Sequence, residues 1–377
     1  MKILFVLENH YPNIGGVETL FKNLTESLVK EGHQITVLTN QFSPRLEKRE
    51  KLNGVSIIRV PFRNRYVFTI LGIFPSWRQA LKHDIIHTTS YNAGVPAFFA
   101  GVLARKKVII TFHEVWSKLW FDLPYMNKVF LWLHYIFEKF LLKLPFYRFV
   151  AVSTYTKNSL IKAGVLEQKI SLIHNGIRYE EIISLKKEVK RESTLEVNKD
   201  FTFIYFGRLG ISKGLDIILE GIKKLKGSKS KKFKFRLIIP SLPADFHRTI
   251  LDGLTSYDIE DVVEVESDLP WKVLVKRIIE SDAVVIPSYS EGFCFTAVES
   301  MAIGTPIISS GNGALKEVIS GKHITMATHD SEGLYKAMSQ ALEDNWDEIS
   351  LKKFPLSISI EKYMSMYNDI FNYKSTS

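Results

Sequence analysis

The sequence alternates short apolar runs with turns and with segments that have the spacing of amphipathic helices. The first such run is KILFVL at 2–7, and FTFIYF at 201–206 is a later one. Apolar runs of this length beside turns are typical of strands that are covered on both faces. Repeated strand, loop and helix units therefore predict parallel sheets flanked by helices, which is the α/β class.

The length of 377 residues is sufficient for two domains. Segment 178–200 has six basic and six acidic residues and few large apolar ones, so we interpret it as the connection between them. This predicts an N-terminal domain over 1–180 and a C-terminal domain over 200–356. The last stretch has the pattern of an amphipathic helix over about 357–373.

The composition indicates the cellular compartment in which the protein is found. A single cysteine excludes an intrachain disulfide and a cysteine-rich zinc site, which fits a reducing environment. No apolar run approaches the ~18 residues of a membrane-spanning helix. The first ten residues reach Glu8 too early for the apolar region of a signal peptide. We therefore expect a cytoplasmic protein.

The charge is unevenly distributed along the chain. The net charge is +10, but residues 1–250 carry 40 Lys and Arg against 20 Asp and Glu, and the remainder carries 10 against 20. Such asymmetry indicates a basic surface that meets membrane headgroups, a lipid-linked phosphate or nucleic acid, although ordinary solvated lysines would give the same count.

Stretch 286–309, IPSYSEGFCFTAVESMAIGTPIIS, carries the strongest chemical signal. It predicts a strand, a turn and a helix, with Glu291 at the turn and Glu299 about two turns into the helix. Two carboxylates so placed can bind hydroxyls. Backbone amides at a helix N-terminus stabilise phosphate. The amides that we expect there belong to Gly292, Phe293, Cys294, Phe295 and Thr296.

A second phosphate signal lies at GRLGISKG, directly after the predicted strand 201–206. Arg208 and Lys213 stand at a turn that introduces a helix. Two cations beside a helix N-terminus predict a diphosphate site, because the side-chain charges and the amides act on the same oxygens. A cationic surface turn without a ligand is the alternative.

The first half of the chain offers two weaker signals. Gly15 and Gly16 lie between a predicted strand and helix, as in a Rossmann-like unit, but a structural turn explains them equally well. The G-x-G-x-x-G pattern of a dehydrogenase is absent from the sequence. His113 stands at the carboxyl end of a predicted strand, where α/β sheets place ligand contacts.

Segment 126–150 is rich in bulky apolar and aromatic residues with interspersed Lys and Arg. We expect a helix here whose core-facing stripe consists of Phe130, Leu133, Phe137, Phe140 and Leu141. Further apolar surface is expected from Trp132, Tyr135, Ile136 and Phe146. Shallow attachment to an anionic membrane and burial against a neighbouring element both explain the excess.

Three units together, GGVE, FGRLGISKGLD and PSYSEGFCFTAVESMAIGTP, resemble the retaining glycosyltransferases of family 4. The resemblance implies the GT-B fold, in which two Rossmann-like domains face each other across a cleft and the C-terminal helix crosses back to the N-terminal domain. It also implies metal-independent transfer of a hexose from a UDP- or GDP-sugar to a glycan or lipid-linked acceptor. The expected role is in cell-envelope polysaccharide or glycolipid synthesis, and shallow attachment of segment 126–150 would place the protein at the inner face of the cytoplasmic membrane.

The resemblance also assigns residue roles in the C-terminal domain. Arg208 and Lys213 would bind the donor diphosphate, with the amides around Phe295 and Thr296 completing the phosphate site. Glu291 would contact the transferred sugar without acting as a nucleophile. The nucleotide ribose would be held by Glu299.

In the N-terminal domain, the resemblance places His113 on the donor sugar, and Gly15 and Gly16 beside the donor phosphate and acceptor. No Asp-x-Asp occurs in the sequence, so neither a metal nor a cofactor beyond the donor is expected. Three departures from the family pattern are PSLPADF at 240–246, Glu114 after His113, and Cys294 where glycine is frequent.

Two rival functions remain open from the sequence. A nucleotide-sugar epimerase of GT-B architecture would use the same donor site, and a non-catalytic protein could bind the nucleotide sugar without turnover. Nucleic-acid binding is suggested only by charge, and no recognisable nucleic-acid module accompanies it. We expect no nucleic-acid partner.

Overall fold

A computed structural model describes residues 1–13, 15–62, 64–123, 127–192, 200–208, 210–228, 231–241 and 244–372. These residues form two compact α/β units. The first contains Met1–Asp122, residues 127–176 and the segment that begins at Leu356. The second extends from Ile177 to Pro355.

The first unit is built on an eight-stranded sheet within the described residues. The strands follow the order β3-β4-β2-β1-β5-β6-β7-β8, and neighbours are parallel except for β3 and β4. Its elements are β1 Lys2–Val6, α1 Gly16–Lys30, β2 Gln34–Asn40, β3 Arg49–Leu52, β4 Val55–Val60, α2 Arg65–Leu71, α3 Ile73–Ala80, β5 Ile85–Thr89, α4 Gly94–Ala104, β6 Lys107–Phe112, a 3-10 helix Ser117–Asp122, α5 Lys128–Lys143, β7 Arg148–Ala151, α6 Thr154–Lys162, a 3-10 helix Glu167–Lys169 and β8 Ile170–Leu172.

The second unit has the same architecture on a sheet of seven described strands. The order is β11-β10-β9-β12-β13-β14-β15, parallel except for β14 and β15. Its elements are α7 Tyr179–Glu192, β9 Phe201–Phe206, a 3-10 helix Ile211–Lys213, α8 Leu215–Gly227, β10 Phe233–Ile239, α9 Ala244–Tyr257, β11 Val263–Ser267, α10 Trp271–Ile279, β12 Ala283–Ile286, α11 Phe295–Ile303, β13 Ile307–Ser309, α12 Leu315–Val318, β14 Gly321–Thr325, α13 Ser331–Leu342 and β15 Asp347–Ile349.

The interpretation of 178–200 as a plain connection was wrong. Most of that segment is helix α7, which packs on α10 and α11 of the second unit. Its buried apolar residues are Tyr179, Ile182 and Val189. A few buried apolar side chains suffice to fix a helix in which charged residues predominate, so the composition resembled that of a linker. Residues 193–199 of the segment lie outside the described residues.

The last helix, α14 Leu356–Asn372, belongs to the first unit. Tyr363 and Tyr367 are fully buried. The hydroxyl of Tyr367 lies 2.5 Å from Nδ1 of His87 on β5, and Lys107 Nζ donates to the Ile370 carbonyl at 2.9 Å. Helix α14 thus completes the unit that also contains β1.

The predicted stripe of α5 was right in part: Leu141 is buried and Phe137 packs against the core, but the other three members are exposed. Phe130, Leu133 and Phe140 are 41%, 52% and 45% exposed. The buried side of the helix consists of Leu131, Glu138, Leu141 and Leu142. A pattern of apolar residues misses this face because a carboxyl group lies in its middle. Phe146, which we expected to add to the free apolar surface, is fully buried.

Candidate functional site

The strand order reverses at β9 in the second unit, because β9 pairs with β10 on one side and with β12 on the other. Ligands of open α/β sheets bind outside the carboxyl ends of the strands at such a point. The loop after β9 begins with Gly207 and Arg208, and the loop after β12 begins with Pro287. Both loops contain residues that the sequence singled out.

The N-terminus of α11 lies beside the loop after β9. A Cβ atom added to Gly207 would stand 3.6 Å from Thr296 Oγ1, and Gly207 has a φ of +130°, which side chains rarely adopt. The residue before α11 is Cys294, in a left-handed conformation, and its side chain makes no capping hydrogen bond. The amides of Phe295 and Thr296 are in the first turn, where the helix has no acceptors of its own. This geometry is that of an anion site.

Lys213 and Glu291 form an ion pair within this site. Lys213 Nζ donates to Glu291 Oε1 at 2.7 Å, and the Ser288 hydroxyl donates to the same oxygen at 2.8 Å. Burial opposes the charge of Lys213, but the neighbouring Glu291 outweighs it and raises the lysine pKa well above its ordinary value. Lys213 therefore stays charged, with N–H donors left for an anion.

The backbone of Glu291 is fixed by the loop after β13. The Ala314 N–H donates to the Glu291 carbonyl at 2.7 Å. A Cβ atom on Gly313 would lie 2.4 Å from that carbonyl oxygen and 2.7 Å from the Glu291 nitrogen, so only glycine fits. The side chain of Glu291 is buried. Its carboxylate is thus held by both its backbone and its hydrogen bonds.

Arg208 and Glu299 lie in the same unit with different surroundings. Arg208 is exposed, and its carbonyl accepts the Tyr205 hydroxyl at 2.9 Å. Glu299 is partly exposed, yet burial raises the pKa of its carboxyl from 4.5 to about 8. In the free protein Glu299 therefore carries a proton at neutral pH and can donate as well as accept a hydrogen bond.

In the first unit, His113 follows β6 directly. Its carbonyl accepts the Thr156 hydroxyl at 3.3 Å, and its ring meets Phe21 edge to face. Burial lowers the histidine pKa from 6.5 to about 4, so the imidazole is neutral at neutral pH. The Nε2 atom is buried and has no hydrogen-bond partner among the described residues. A neutral ring with a free nitrogen can receive one hydrogen bond or donate one to a ligand.

Gly15 and Gly16 begin α1, as expected for a loop that enters a helix. Gly15 has extended backbone, and Gly16 is exposed. Two residues further on, Glu18 is buried in the first turn and accepts the Asn13 side-chain amide at 3.1 Å. The carboxylate of the GGVE unit thus closes the loop onto the helix.

Sequence reasoning missed two residues that hold Glu291, namely Ser288 and Gly313. Ser288 lies inside stretch 286–309, three residues before Glu291. A serine at that spacing could have suggested a hydrogen bond to the Glu291 carboxylate. Gly313 belongs to the turn GNG beyond that stretch, and only the three-dimensional contact reveals its role.

Of the unusual segment 240–246, residues 242 and 243 lie outside the described residues; Ser241 N–H approaches the Asp268 carboxylate at 3.3 Å.

Over the ranges that the structure describes, no group of three or more His, Cys, Asp or Glu side chains is arranged to hold a metal ion. Within the same ranges, no helix is both long and apolar enough to cross a membrane.

Two similar structures define the class of fold. Sucrose-phosphate synthase from Thermosynechococcus elongatus has a TM-score of 0.76 at 16% identity, covering 99% of this chain and 99% of that chain. Anabaena HepE, solved with UDP and glucose, has a TM-score of 0.71 at 16% identity, covering 98% and 100%. With its two Rossmann-like sheets, the chain has the GT-B fold, which confirms the predicted fold class.

Family models place the chain within this class. Residues 14–181 match Glycosyltransferase Family 4, and residues 186–354 match Glycosyl transferases group 1. The two matches together span most of the chain. The chain therefore belongs to the glycosyltransferases whose N-terminal part matches the first model and whose C-terminal part matches the second. The predicted family resemblance is confirmed.

Relatives are similar over nearly the whole chain. An uncharacterized 41.2 kDa protein in the cps region of Klebsiella pneumoniae is 26% identical, covering 94% of this chain and 96% of that protein. The phosphatidylinositol N-acetylglucosaminyltransferase GPI3 subunit from Saccharomyces cerevisiae is 22% identical, covering 90% and 75%. An uncharacterized glycosyltransferase of Methanocaldococcus jannaschii is 26% identical, covering 85% and 83%.

Proposed function

We propose that the protein transfers a hexose from a UDP-sugar or GDP-sugar to a lipid-linked or glycan acceptor, with retention of configuration, in cell-envelope polysaccharide or glycolipid synthesis. The observation that carries the proposal is the juxtaposition of the Gly207 loop, Lys213 and the N-terminus of α11. The proposal gains support from HepE, a structure of similar fold that was solved with UDP-glucose.

The donor diphosphate is the ligand that fits this site. Lys213 is permanently charged, Arg208 is exposed, and the amides of Phe295 and Thr296 lack helical acceptors. As the bond from the sugar to the diphosphate breaks, negative charge develops on the departing phosphate. Fixed cations and amides stabilise that charge without reorganising. On this proposal, no metal is needed.

Glu291 positions the sugar. One carboxylate oxygen already receives hydrogen bonds from Lys213 and Ser288, which makes it a weak nucleophile. The other oxygen is left to bind a sugar hydroxyl. Retention then requires that the acceptor oxygen attack from the face of the departing diphosphate, as the bond from C1 to the phosphate oxygen breaks. The acceptor proton passes to a phosphate oxygen.

On the same proposal, the first unit binds an anionic membrane surface, where it meets the acceptor. Val129, Trp132 and Leu133 on the outer side of α5 are 66%, 51% and 52% exposed, and Lys128, Lys139 and Lys143 lie exposed among them. Helices α2 and α3, also rich in exposed apolar residues, pack on α4, and Gly94 of α4 adjoins Leu141 of α5. Exposed aromatic, aliphatic and basic side chains together favour the interface of an anionic bilayer.

A ligand panel followed by a transfer assay tests the proposal. We expect one of the UDP-, GDP- or ADP-sugars to raise the melting temperature, since a ligand at 100 times its dissociation constant adds ~2.7 kcal/mol of stability. The same radiolabelled donor should then label a lipid extract or a glycan, and Lys213→Ala should weaken the thermal shift and reduce the labelling by roughly 10²- to 10³-fold. A matched control is Lys224→Ala, which removes a surface lysine of the same unit.

The rival functions give different results in the same experiment. An epimerase would convert the donor sugar without any acceptor, which NMR of the sugar would detect. A binding protein would show the thermal shift but no product across a broad acceptor panel. Either outcome would overturn the proposal of transfer.

A further inference from the structure

Glu138 is a carboxyl group in the interior of the first unit that the proposed chemistry does not use. Its residue is 1% exposed, on the buried side of α5. One carboxylate oxygen accepts the Ser117 backbone N–H at 3.0 Å, and the other accepts the Trp120 indole N–H at 2.5 Å. Both donors belong to the 3-10 helix Ser117–Asp122, which follows His113.

The segment from His113 to Asp122 is anchored at several points. The Thr156 hydroxyl donates to the His113 carbonyl at 3.3 Å, and the Tyr91 hydroxyl donates to the Glu114 carbonyl at 3.0 Å. These two bonds hold two backbone carbonyls at the start of the segment, at the carboxyl end of β6. The part beyond Glu114 is attached to α5.

Ring contacts accompany Glu138 in the attachment to α5. The Trp120 ring lies 5.1 Å from that of His134, and the Phe121 ring lies 5.3 Å from that of Tyr135. Ring packing is tolerant of small rotations, whereas two hydrogen bonds to the two oxygens of one carboxylate define an orientation. Glu138 therefore contributes the directional part of the attachment.

Burying a carboxyl group is energetically unfavourable compared with burying an apolar side chain. Burial raises the pKa of Glu138, and the N–H donors around it act in the opposite direction. An apolar side chain of the same size would pack without this cost, but it would leave the partly buried Ser117 and Trp120 N–H groups without these acceptors. What the carboxylate adds is an acceptor for each of them.

We propose that Glu138 is a positioning residue for sugar transfer, which holds segment 114–122 so that His113 and Glu114 keep a fixed orientation at the end of β6. This inference rests on the proposed function, in which the first unit takes part in transfer. Glu138 itself lies inside the unit and acts through the segment that it anchors.

The test compares Glu138→Gln and Glu138→Asp with Lys139→Gln, an exposed neighbour on the same helix. Glutamine keeps the shape but presents an NH2 group to one of the two donors. Displacing a reacting group by about 1 Å costs up to ~100-fold in rate. We expect Glu138→Gln to lower kcat by roughly 10- to 100-fold with the donor KM and the UDP dissociation constant unchanged. Glu138→Asp, which keeps both acceptors, should recover part of the loss.

Hydrogen exchange of the full-length chain provides a readout that is independent of activity. Amides of 114–122 should exchange faster in Glu138→Gln, while those of β6 stay protected and Lys139→Gln matches the wild type. Unchanged exchange at 114–122 overturns the inference, and so does faster exchange with unchanged kcat. A fall in kcat that merely follows the folded fraction would show a structural role and would also overturn it. Failure of the proposed function is distinct, since it appears as absent transfer in the wild type.

Discussion

Lys213 and Glu291 lie 78 positions apart in the sequence, and their side chains meet at 2.7 Å. The pair joins the turn after β9 to the turn after β12, on the two sides of the point where the strand order reverses. In the free protein each group neutralises the other. A bound diphosphate would therefore share the lysine with Glu291, and it would accept hydrogen bonds from the ammonium N–H groups that Glu291 does not use.

The pair should behave as one unit under mutation. We expect Lys213→Ala and Glu291→Gln each to reduce transfer by roughly 10²- to 10³-fold, because the first removes charge stabilisation of the leaving group and the second loosens the sugar. The double variant should lose much less than the product of the two effects. Values of kcat/KM for the three variants give the coupling directly. Fully additive losses would show that the two residues act separately.

Lys213→Ala should also destabilise the second unit, by about 1–3 kcal/mol, because Glu291 is left buried without its partner. Urea unfolding measures this loss. The control is Lys224→Ala, which breaks an ion pair with Glu332 on the exposed surface of the same unit. That variant should match the wild type in stability and transfer.

Gly313 should be intolerant of any side chain. Its φ of +63° strains alanine, and the added Cβ would lie 2.4 Å from the Glu291 carbonyl oxygen. We expect Gly313→Ala to displace Glu291 and to lower kcat/KM on the order of 100-fold. Gly32→Ala is the matched control, since Gly32 has a φ of +83° with nothing within 4 Å of the added atom. Both variants carry the backbone strain of ~1 kcal/mol, and equal activities would contradict the steric argument.

Glu299 should make the second unit less stable as the pH rises. Its native pKa of about 8 exceeds the ordinary value of 4.5, so the native state keeps a proton that the unfolded chain loses between these values. The free energy of unfolding then falls with pH across this window, by at most ~1.4 kcal/mol per pH unit. Partial exposure of the side chain makes a smaller slope the expected result.

Glu299→Gln removes this titration and should flatten the dependence of stability on pH between 5 and 8. Urea midpoints at several pH values, followed through tryptophan fluorescence, to which Trp271 and Trp346 of the second unit contribute, give the comparison. Parallel curves for the variant and the wild type would show that Glu299 has an ordinary pKa.

The outer side of α5 should bind anionic membranes. Wild-type protein should sediment with vesicles of phosphatidylglycerol and phosphatidylcholine, and less with phosphatidylcholine alone. Trp132→Ser with Ile136→Ser should weaken the partition on the order of 10-fold, since both side chains are exposed and apolar. Trp271→Ser removes a tryptophan of similar exposure in the second unit and should have no effect. Wild-type protein that stays in the supernatant at every composition would rule out this surface.

Much of the fold was predictable because the pattern and the topology agree. Runs such as 2–7 and 201–206, which are buried after their first residue, have few alternatives to a strand in a parallel sheet, and the loops after them end in helices. The two failures have a common cause. In α7 a few buried apolar residues anchor a helix in which charged residues predominate, and in α5 a buried carboxyl lies on the core face, so neither shows the full expected periodicity.

The candidate site was only partly predictable. Local signals indicated Glu291 and Lys213, because each lies in a turn beside a predicted helix. Their direct contact, and the support from Gly313, depend on which strands are neighbours in the sheet, which the sequence does not state. The roles given to Arg208, Glu299 and His113 stay predictions, for which the variants above and the transfer assay supply the measurements.

The placement of α14 has a consequence for synthesis on the ribosome. Residues 177–355 can complete the second unit as soon as they emerge, whereas the first unit lacks its last helix until residues 356–372 follow. Until then, the surface around His87 that Tyr363 and Tyr367 cover is open to water. The unit translated first is thus the unit finished last, and a nascent chain would need protection at that surface for as long as the second unit takes to be made.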